Sequence, residues 1–180
     1  GTKTVYLIGD SQMKSLRINL KKRVLNYNYN FKESILNECL YFPGFSRVRI
    51  KTNKKTKKCS NDYFLQLEKK LKKEENSILI FGGRFPLYLN KKFFNNNEGG
   101  VEDDNLWNYK FVSSNKFRDI RHSFKDNVLE LSKKNKIILV YPIPETGWHI
   151  PQKIFNQGSK EIISTSFQLI VKDLNLVLNY

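Results

Sequence analysis

Three short apolar runs, each halted by turn residues, limit what this chain can fold into more than any other feature. Thr2-Lys3-Thr4-Val5-Tyr6-Leu7-Ile8 ends at Gly9-Asp10-Ser11. Ser77-Ile78-Leu79-Ile80-Phe81 ends at Gly82-Gly83, and Lys136-Ile137-Ile138-Leu139-Val140-Tyr141 ends at Pro142-Ile143-Pro144. Runs of β-branched and aromatic residues without polar alternation predict strands buried on both faces. Helical spacings lie between them: Met13, Leu16, Leu20 and Val24, then Phe64, Leu67 and Leu71, then Phe117, Ile120, Phe124, Val128 and Leu131. The second of these helices is predicted from Asn61 or Asp62 to about Glu75, the third over 115–134. Strands alternating with amphipathic helices imply βαβ units, hence a parallel sheet with helices on both faces. Ligands of such sheets bind beyond the C-terminal ends of the strands. The unusual segments stand there: Gly9-Asp10-Ser11, Gly82-Gly83-Arg84 and Pro142-Ile143-Pro144-Glu145.

The remaining segments carry weaker signals. Asn26 to Asn30 reads as a loop, 31–59 as irregular and 90–114 as a polar excursion. A helix over Gly158 to about Asp173 and a last strand at Leu174–Leu178 complete the prediction. With 180 residues, no internal repeat and no low-complexity linker, residues 1–180 read as one domain.

No apolar run approaches the roughly 18 residues of a membrane span, and no signal peptide is visible. A start at Gly1 rather than Met points to an excised or processed chain. Lysine and arginine total 32 against 17 acidic residues, a net charge of +15. Such a surface suits a Lys- and Asn-rich compositional bias, a nucleic-acid binder, or a domain beside anionic lipid or glycan. The basic residues cluster only at Lys51–Lys58 and Lys69–Lys73, without finger spacing or a ribonucleoprotein signature, so nucleic acid is not the expected partner. Two Cys and two His far apart in sequence predict no metal site, and no cofactor is implied.

Ser11 is the first candidate for chemistry. A serine at a strand-to-helix turn is exposed, beside helix-start N–H groups that have no partner within the helix. That suits a nucleophile whose attack creates an oxyanion. The alternative is that Asp10 or Ser11 only caps the first helix. The surrounding Tyr6-Leu7-Ile8-Gly9-Asp10-Ser11-Gln12-Met13 resembles the first block of the SGNH hydrolase family, whose Gly-Asp-Ser carries the nucleophile. More narrowly, the chain resembles the SGNH domains fused to membrane-bound (family 3) O-acyltransferases. Three further features carry that resemblance: Cys39…Pro43-Gly44…Cys59, Phe81-Gly82-Gly83-Arg84-Phe85-Pro86-Leu87-Tyr88, and Tyr141-Pro142-Ile143-Pro144-Glu145.

The resemblance implies a three-layer α/β/α fold with a mostly parallel, flavodoxin-like doubly wound sheet. It implies Ser11 as nucleophile, with the backbone N–H groups of Ser11 and Gly44 in the oxyanion hole. Where many members have an Asn, this chain has Gly82-Gly83-Arg84, and Arg84 is the natural substitute donor. Its alternative is a salt bridge at a strand end. The resemblance also implies a Cys39–Cys59 disulfide, and therefore an oxidising compartment such as the periplasm. The family takes its base and orienting carboxylate from an Asp-x-x-His block after the last core strand. That block is expected to be missing here, with a chain that stops short of it as the preferred account. Of the two histidines, His122 falls in a helical pattern and reads as a surface residue. His149 follows Glu145 in a Pro-rich loop and is the alternative base.

Three functional readings follow. In the first, Ser11 carries an acetyl or other short acyl group to a hydroxyl of a cell-surface glycan such as lipopolysaccharide. The partners are then an acyl donor, a glycan acceptor and a membrane acyltransferase domain in the parent chain. In the second, water is the acceptor and the domain is a carbohydrate esterase. In the third, the chain is a basic binding module without catalysis.

Overall fold

The structure, a computed structural model, describes residues 3–90, 94–97, 108–114, 119–140 and 154–156. Its elements in chain order are β1 (Thr4–Gly9), α1 (Lys14–Asn26), β2 (Asn30–Ile35), β3 (Phe45–Arg49), α2 (Asn61–Leu71), β4 (Ile78–Gly82), α3 (Phe85–Asn90), β5 (Tyr109–Ser113), α4 (Ile120–Ser132) and β6 (Lys136–Leu139). A short 3₁₀ turn, Ser11–Met13, joins β1 to α1.

The first two apolar runs become the centre of a parallel sheet. β1 is buried at every position, and its neighbour β4 at all but the first. Side chains alternate across a strand, so each run serves two layers. On one face Val5, Leu7 and Ile80 pack with Met13 and with Val24 of α1. On the other, the Phe81 ring meets Tyr41 at 5.5 Å and Phe124 of α4 at 6.1 Å, and Tyr41 reaches Phe64 of α2. Helices on both faces make the three-layer α/β/α arrangement.

Strand order is β2-β1-β4-β6, every pair parallel. The chain builds outward from β1 to β2, then returns to build β4 and β6 on the other side. The reversal lies between β1 and β4, the topological switch point where ligands of open α/β sheets bind. Gly9 and Gly82 are partners in register at its rim.

Several elements depart from the prediction. Residues 31–59 hold β2 and β3, and the 90–114 excursion holds β5. β2 reads Asn-Phe-Lys-Glu-Ser-Ile and leaves most side chains in water, contributing only Phe31 and Ile35 to the core. Such a strand has no apolar run to betray it. β3 and β5 pair antiparallel in a separate two-stranded sheet, Phe45 opposite Ser113 and Arg49 opposite Tyr109. α2 ends at Leu71, where its apolar face ends, rather than at Glu75. α4 opens at Ile120 because Asp119 caps it. β6 joins the sheet as predicted but is not a fully buried strand: Ile138 and Leu139 are exposed.

Two compact units are present. The first, Gly1–Arg84 with Tyr109–Tyr141, contains both sheets and all the geometry that follows. The second, Phe85–Asn108 with Pro142–Tyr180, contains α3, in which Phe85, Leu87 and Tyr88 are buried. Pro142–Glu145, the helix expected over 158–173 and the strand expected at 174–178 lie outside the described residues.

Candidate active site

The C-terminal ends of β1 and β4 are fastened by one carboxylate. Asp10 is 2% exposed. Its Oδ1 accepts the Gln12 N–H at 2.9 Å, and its Oδ2 accepts the Arg84 N–H at 2.9 Å. The first bond caps the 3₁₀ turn, and the second spans 74 residues of sequence to the end of the neighbouring strand. Capping is therefore done by Asp10, and Ser11 is left for other work. Ser11 opens the turn and is exposed, and its hydroxyl has no hydrogen-bond partner among the described residues. Its N–H stands at the start of the turn, where no preceding turn supplies an acceptor. Next to it, the Gln12 side-chain oxygen is buried without a partner among the described residues.

Close packing at Gly83 completes this rim. Its φ is +142°, and an added Cβ would run into the Leu40 side chain and the Asp10 carboxyl. Only a glycine lets β4 end against both. Leu40 belongs to the segment after β2, which starts with a bond from the Leu36 N–H to the Gly9 carbonyl. In that segment Cys39 is joined to Cys59 by a disulfide, with Cα atoms 5.8 Å apart. Tyr41 is buried with no partner for its hydroxyl among the described residues, and burial pushes its phenol far above the ordinary tyrosine range, with Glu68 adding to the shift. It is a neutral packing group rather than a proton carrier.

Gly44 ends the segment at φ +84°. Its N–H donates to Asn61 Oδ1 at 3.0 Å, and its carbonyl accepts the N–H and hydroxyl of Ser114. The expected oxyanion donor is thus already bonded, to a residue the sequence reading had only as a helix start. Arg84 contributes its backbone N–H to Asp10, a structural role that its side-chain chemistry had hidden.

The family model for the SGNH domain fused to AT3 domains matches residues 1–172. The chain belongs to this SGNH family. No curated protein and no solved structure matches it. Membership associates this SGNH domain with esterase or acyltransferase chemistry, and with the AT3 domain as its fusion partner. Among the described residues no helix is long and apolar enough to cross a membrane, and no three His, Cys, Asp or Glu side chains are grouped to hold a metal ion.

Asp119-Ile120-Arg121-His122 has the Asp-x-x-His spacing, so the expectation that this spacing is missing is corrected; it stands before β6 rather than after the last core strand. Asp119 Oδ1 accepts the N–H groups of Arg121 and His122 and lies 3.1 Å from His122 Nδ1. Partial burial raises the Asp119 pKa, but the bonds from His122 and Arg121 outweigh it and hold the carboxyl below the ordinary aspartate range. His122 is exposed on α4, as its spacing predicted. The next residue, Ser123, donates its hydroxyl to the Pro43 carbonyl, so the start of α4 is tied to the Gly44 segment. His149, the alternative base, lies outside the described residues.

Proposed function

We propose that this chain is the extracytoplasmic SGNH domain of a bacterial O-acyltransferase, spanning residues 1–180 as one domain. It transfers a short acyl group, acetyl in the simplest case, to a hydroxyl of a cell-surface polysaccharide. The observation that carries this is the Asp10 clamp. It takes over helix capping and leaves the Ser11 hydroxyl exposed at the switch point of the sheet.

The reaction runs in two steps. Ser11 Oγ attacks the acyl carbonyl of the donor, its proton passes to a base, and the donor's leaving group departs protonated. The acceptor hydroxyl then attacks the acyl-enzyme, the base takes that proton, and the proton returns to Ser11 Oγ. Both steps pass through an oxyanion, for which the Ser11 N–H and the Arg84 side chain are the proposed donors. Gly44 joins them only if its N–H leaves Asn61. We assign Asp119 to capping α4, because its two backbone bonds are those a cap makes. The resemblance assigns the general base to an Asp-x-x-His block after the last core strand, with His149 as the alternative.

The disulfide supports an oxidising compartment, and the net charge of +15 supports work beside anionic glycan or lipid. A fluorophosphonate probe applied to the full-length protein tests the nucleophile. Ser11 is expected to be labelled, and Ser11→Ala to abolish labelling and acyl transfer together. Labelling that survives in Ser11→Ala overturns the assignment. The same residues serve an esterase if water is the acceptor, and product analysis with and without acceptor glycan separates the two.

A further inference from the structure

A concavity lies beside the Gly44 segment. It has a volume of about 570 Å³ and lies between the chain that folds back along β3 and the first turn of α2. Polar and charged residues line it, and their carbon atoms make up much of the wall. Ser46, Thr56, Ser60 and Ser114 bring hydroxyls, Asn61 and Gln66 bring amides, and Lys55 and Lys57 bring ammonium groups. Asp62 is the one carboxylate, and Tyr63 the one aromatic ring.

The backbone bearing the lysines is firmly held. Lys55 bridges to Val48, the Thr56 N–H bonds the Arg47 carbonyl at 2.8 Å, and the Arg47 N–H bonds the Cys59 carbonyl at 2.8 Å. The disulfide then fastens Cys59 to Cys39. Neither lysine ammonium meets a carboxylate among the described residues. The donors at the start of α2 are already used: the Asn61 N–H bonds Ser46 Oγ, and the Tyr63 N–H bonds Ser60 Oγ. The Thr56, Ser60 and Ser114 hydroxyls are engaged too, donating to the Arg47, Lys57 and Gly44 carbonyls, so what the cleft offers a ligand is the Ser46 hydroxyl, Asn61 Nδ2, the Gln66 amide, one ring and two cations on a fixed frame.

We propose that this cleft binds an acidic saccharide, with Lys55 and Lys57 holding its anionic group and the hydroxyl and amide side chains its ring oxygens. The volume lies in the range of small-ligand sites. Nucleic acid fits less well, since single strands are held by successive stacking rings and only one is present. The cleft shares Asn61 and Ser114 with Gly44, whose N–H and carbonyl they bond. Its role as the acceptor site rests on the acyl-transfer reading, but the binding does not.

Oligogalacturonate is titrated into the full chain at about 50 mM salt, with amide shifts as the readout. Shifts are expected over Lys55–Gln66 and at Ser114, with affinity falling about tenfold or more in Lys55→Ala/Lys57→Ala as charge-assisted bonds are lost. Maltotetraose, which is neutral, is expected to bind as weakly to the parent chain as oligogalacturonate does to that variant. Lys21→Ala/Lys22→Ala on α1 is the charge control and should bind like the parent. Ser11→Ala should also bind fully, so loss of probe labelling at Ser11 and loss of saccharide binding are separate failures. Equal binding of the neutral and acidic sugars, full binding by the lysine variant, or no shift at all overturns the proposal. So does displacement by a single-stranded oligonucleotide at lower concentration than the saccharide.

Discussion

Each of the two sheets relies on a buried charge, but of opposite sign and for different reasons. In the parallel sheet the charge is Asp10, at the end of strands whose apolar side chains already fill both layers. It accepts two backbone N–H groups and fixes only where the strands stop. In the β3–β5 pair the charge is Arg47, 6% exposed in mid-strand. Its guanidinium donates to the Glu38 carbonyl and to Thr56 Oγ1, lies 3.3 Å from Glu38 Oε2, and sits 4.3 Å over the Tyr109 ring. That sheet has two strands of five residues, too few to stand on apolar burial alone. The cation and the disulfide therefore add to the burial of Phe45 and Val48 in holding the β3–β5 pair. Polar ties finish a structure that packing has made in one region, and share the work with packing in the other.

Removing the Asp10 carboxylate should have the largest effect. Asp10→Ala leaves the Gln12 and Arg84 N–H groups without their acceptor, and hydrogen bonds to a charged group contribute about 1.5–3 kcal/mol each. A loss on the order of 3–5 kcal/mol in urea unfolding is expected. Asp10→Asn keeps one acceptor oxygen and should lose about half as much. In both variants hydrogen exchange should speed first at the Gln12 and Arg84 amides. If exchange there stays slow, the clamp is not what ends the two strands.

The same contrast explains what the sequence displayed. β1 and β4 were legible because every residue serves a buried layer, so burial is written as an apolar run. The turn that opens at Ser11 was legible because turn residues follow such a run at once. β2 was not, because an edge strand facing water needs only Phe31 and Ile35. β3 was hidden by Arg47, a charged residue where strand patterning expects an apolar one. The role of Asp10 toward Arg84 could not be read, because a bond across 74 residues leaves no local pattern. The Asn61 bond to the Gly44 N–H is of the same kind, 17 residues apart and between a loop and the first residue of a helix. Asp119-x-x-His122, by contrast, is plain as spacing but stands before β6 rather than after the last core strand.

The disulfide tests the other half of the comparison. Closing a loop of 20 residues contributes about 3 kcal/mol in the chain-entropy account. Cys39→Ser/Cys59→Ser should lose about that much. Its exchange signature should differ from that of Asp10→Ala, with fast amides at Arg47 and Thr56 while those of β1 and β4 keep their order of protection. Accelerated exchange at β1 before Arg47 would mean that the two regions do not divide their cohesion in this way.

The smallest effect belongs to Asp119, a cap on the surface rather than a clamp inside. Asp119→Ala should cost about 1 kcal/mol, the usual worth of an N-cap. Because its carboxyl titrates lower in the folded chain than in the unfolded one, its contribution is present above the ordinary aspartate range. It fades as pH falls through the depressed folded value, so parent and variant should converge in stability at acid pH and differ at neutrality. Asp10 is buried and Asp119 is not, so added salt should screen the Asp119 contribution and leave the Asp10 contribution nearly intact. Urea unfolding of the two alanine variants at low and high salt measures this directly. A salt-insensitive Asp119→Ala loss, as large as that of Asp10→Ala, would erase the distinction between a tie that decorates a helix end and one that closes the sheet's rim.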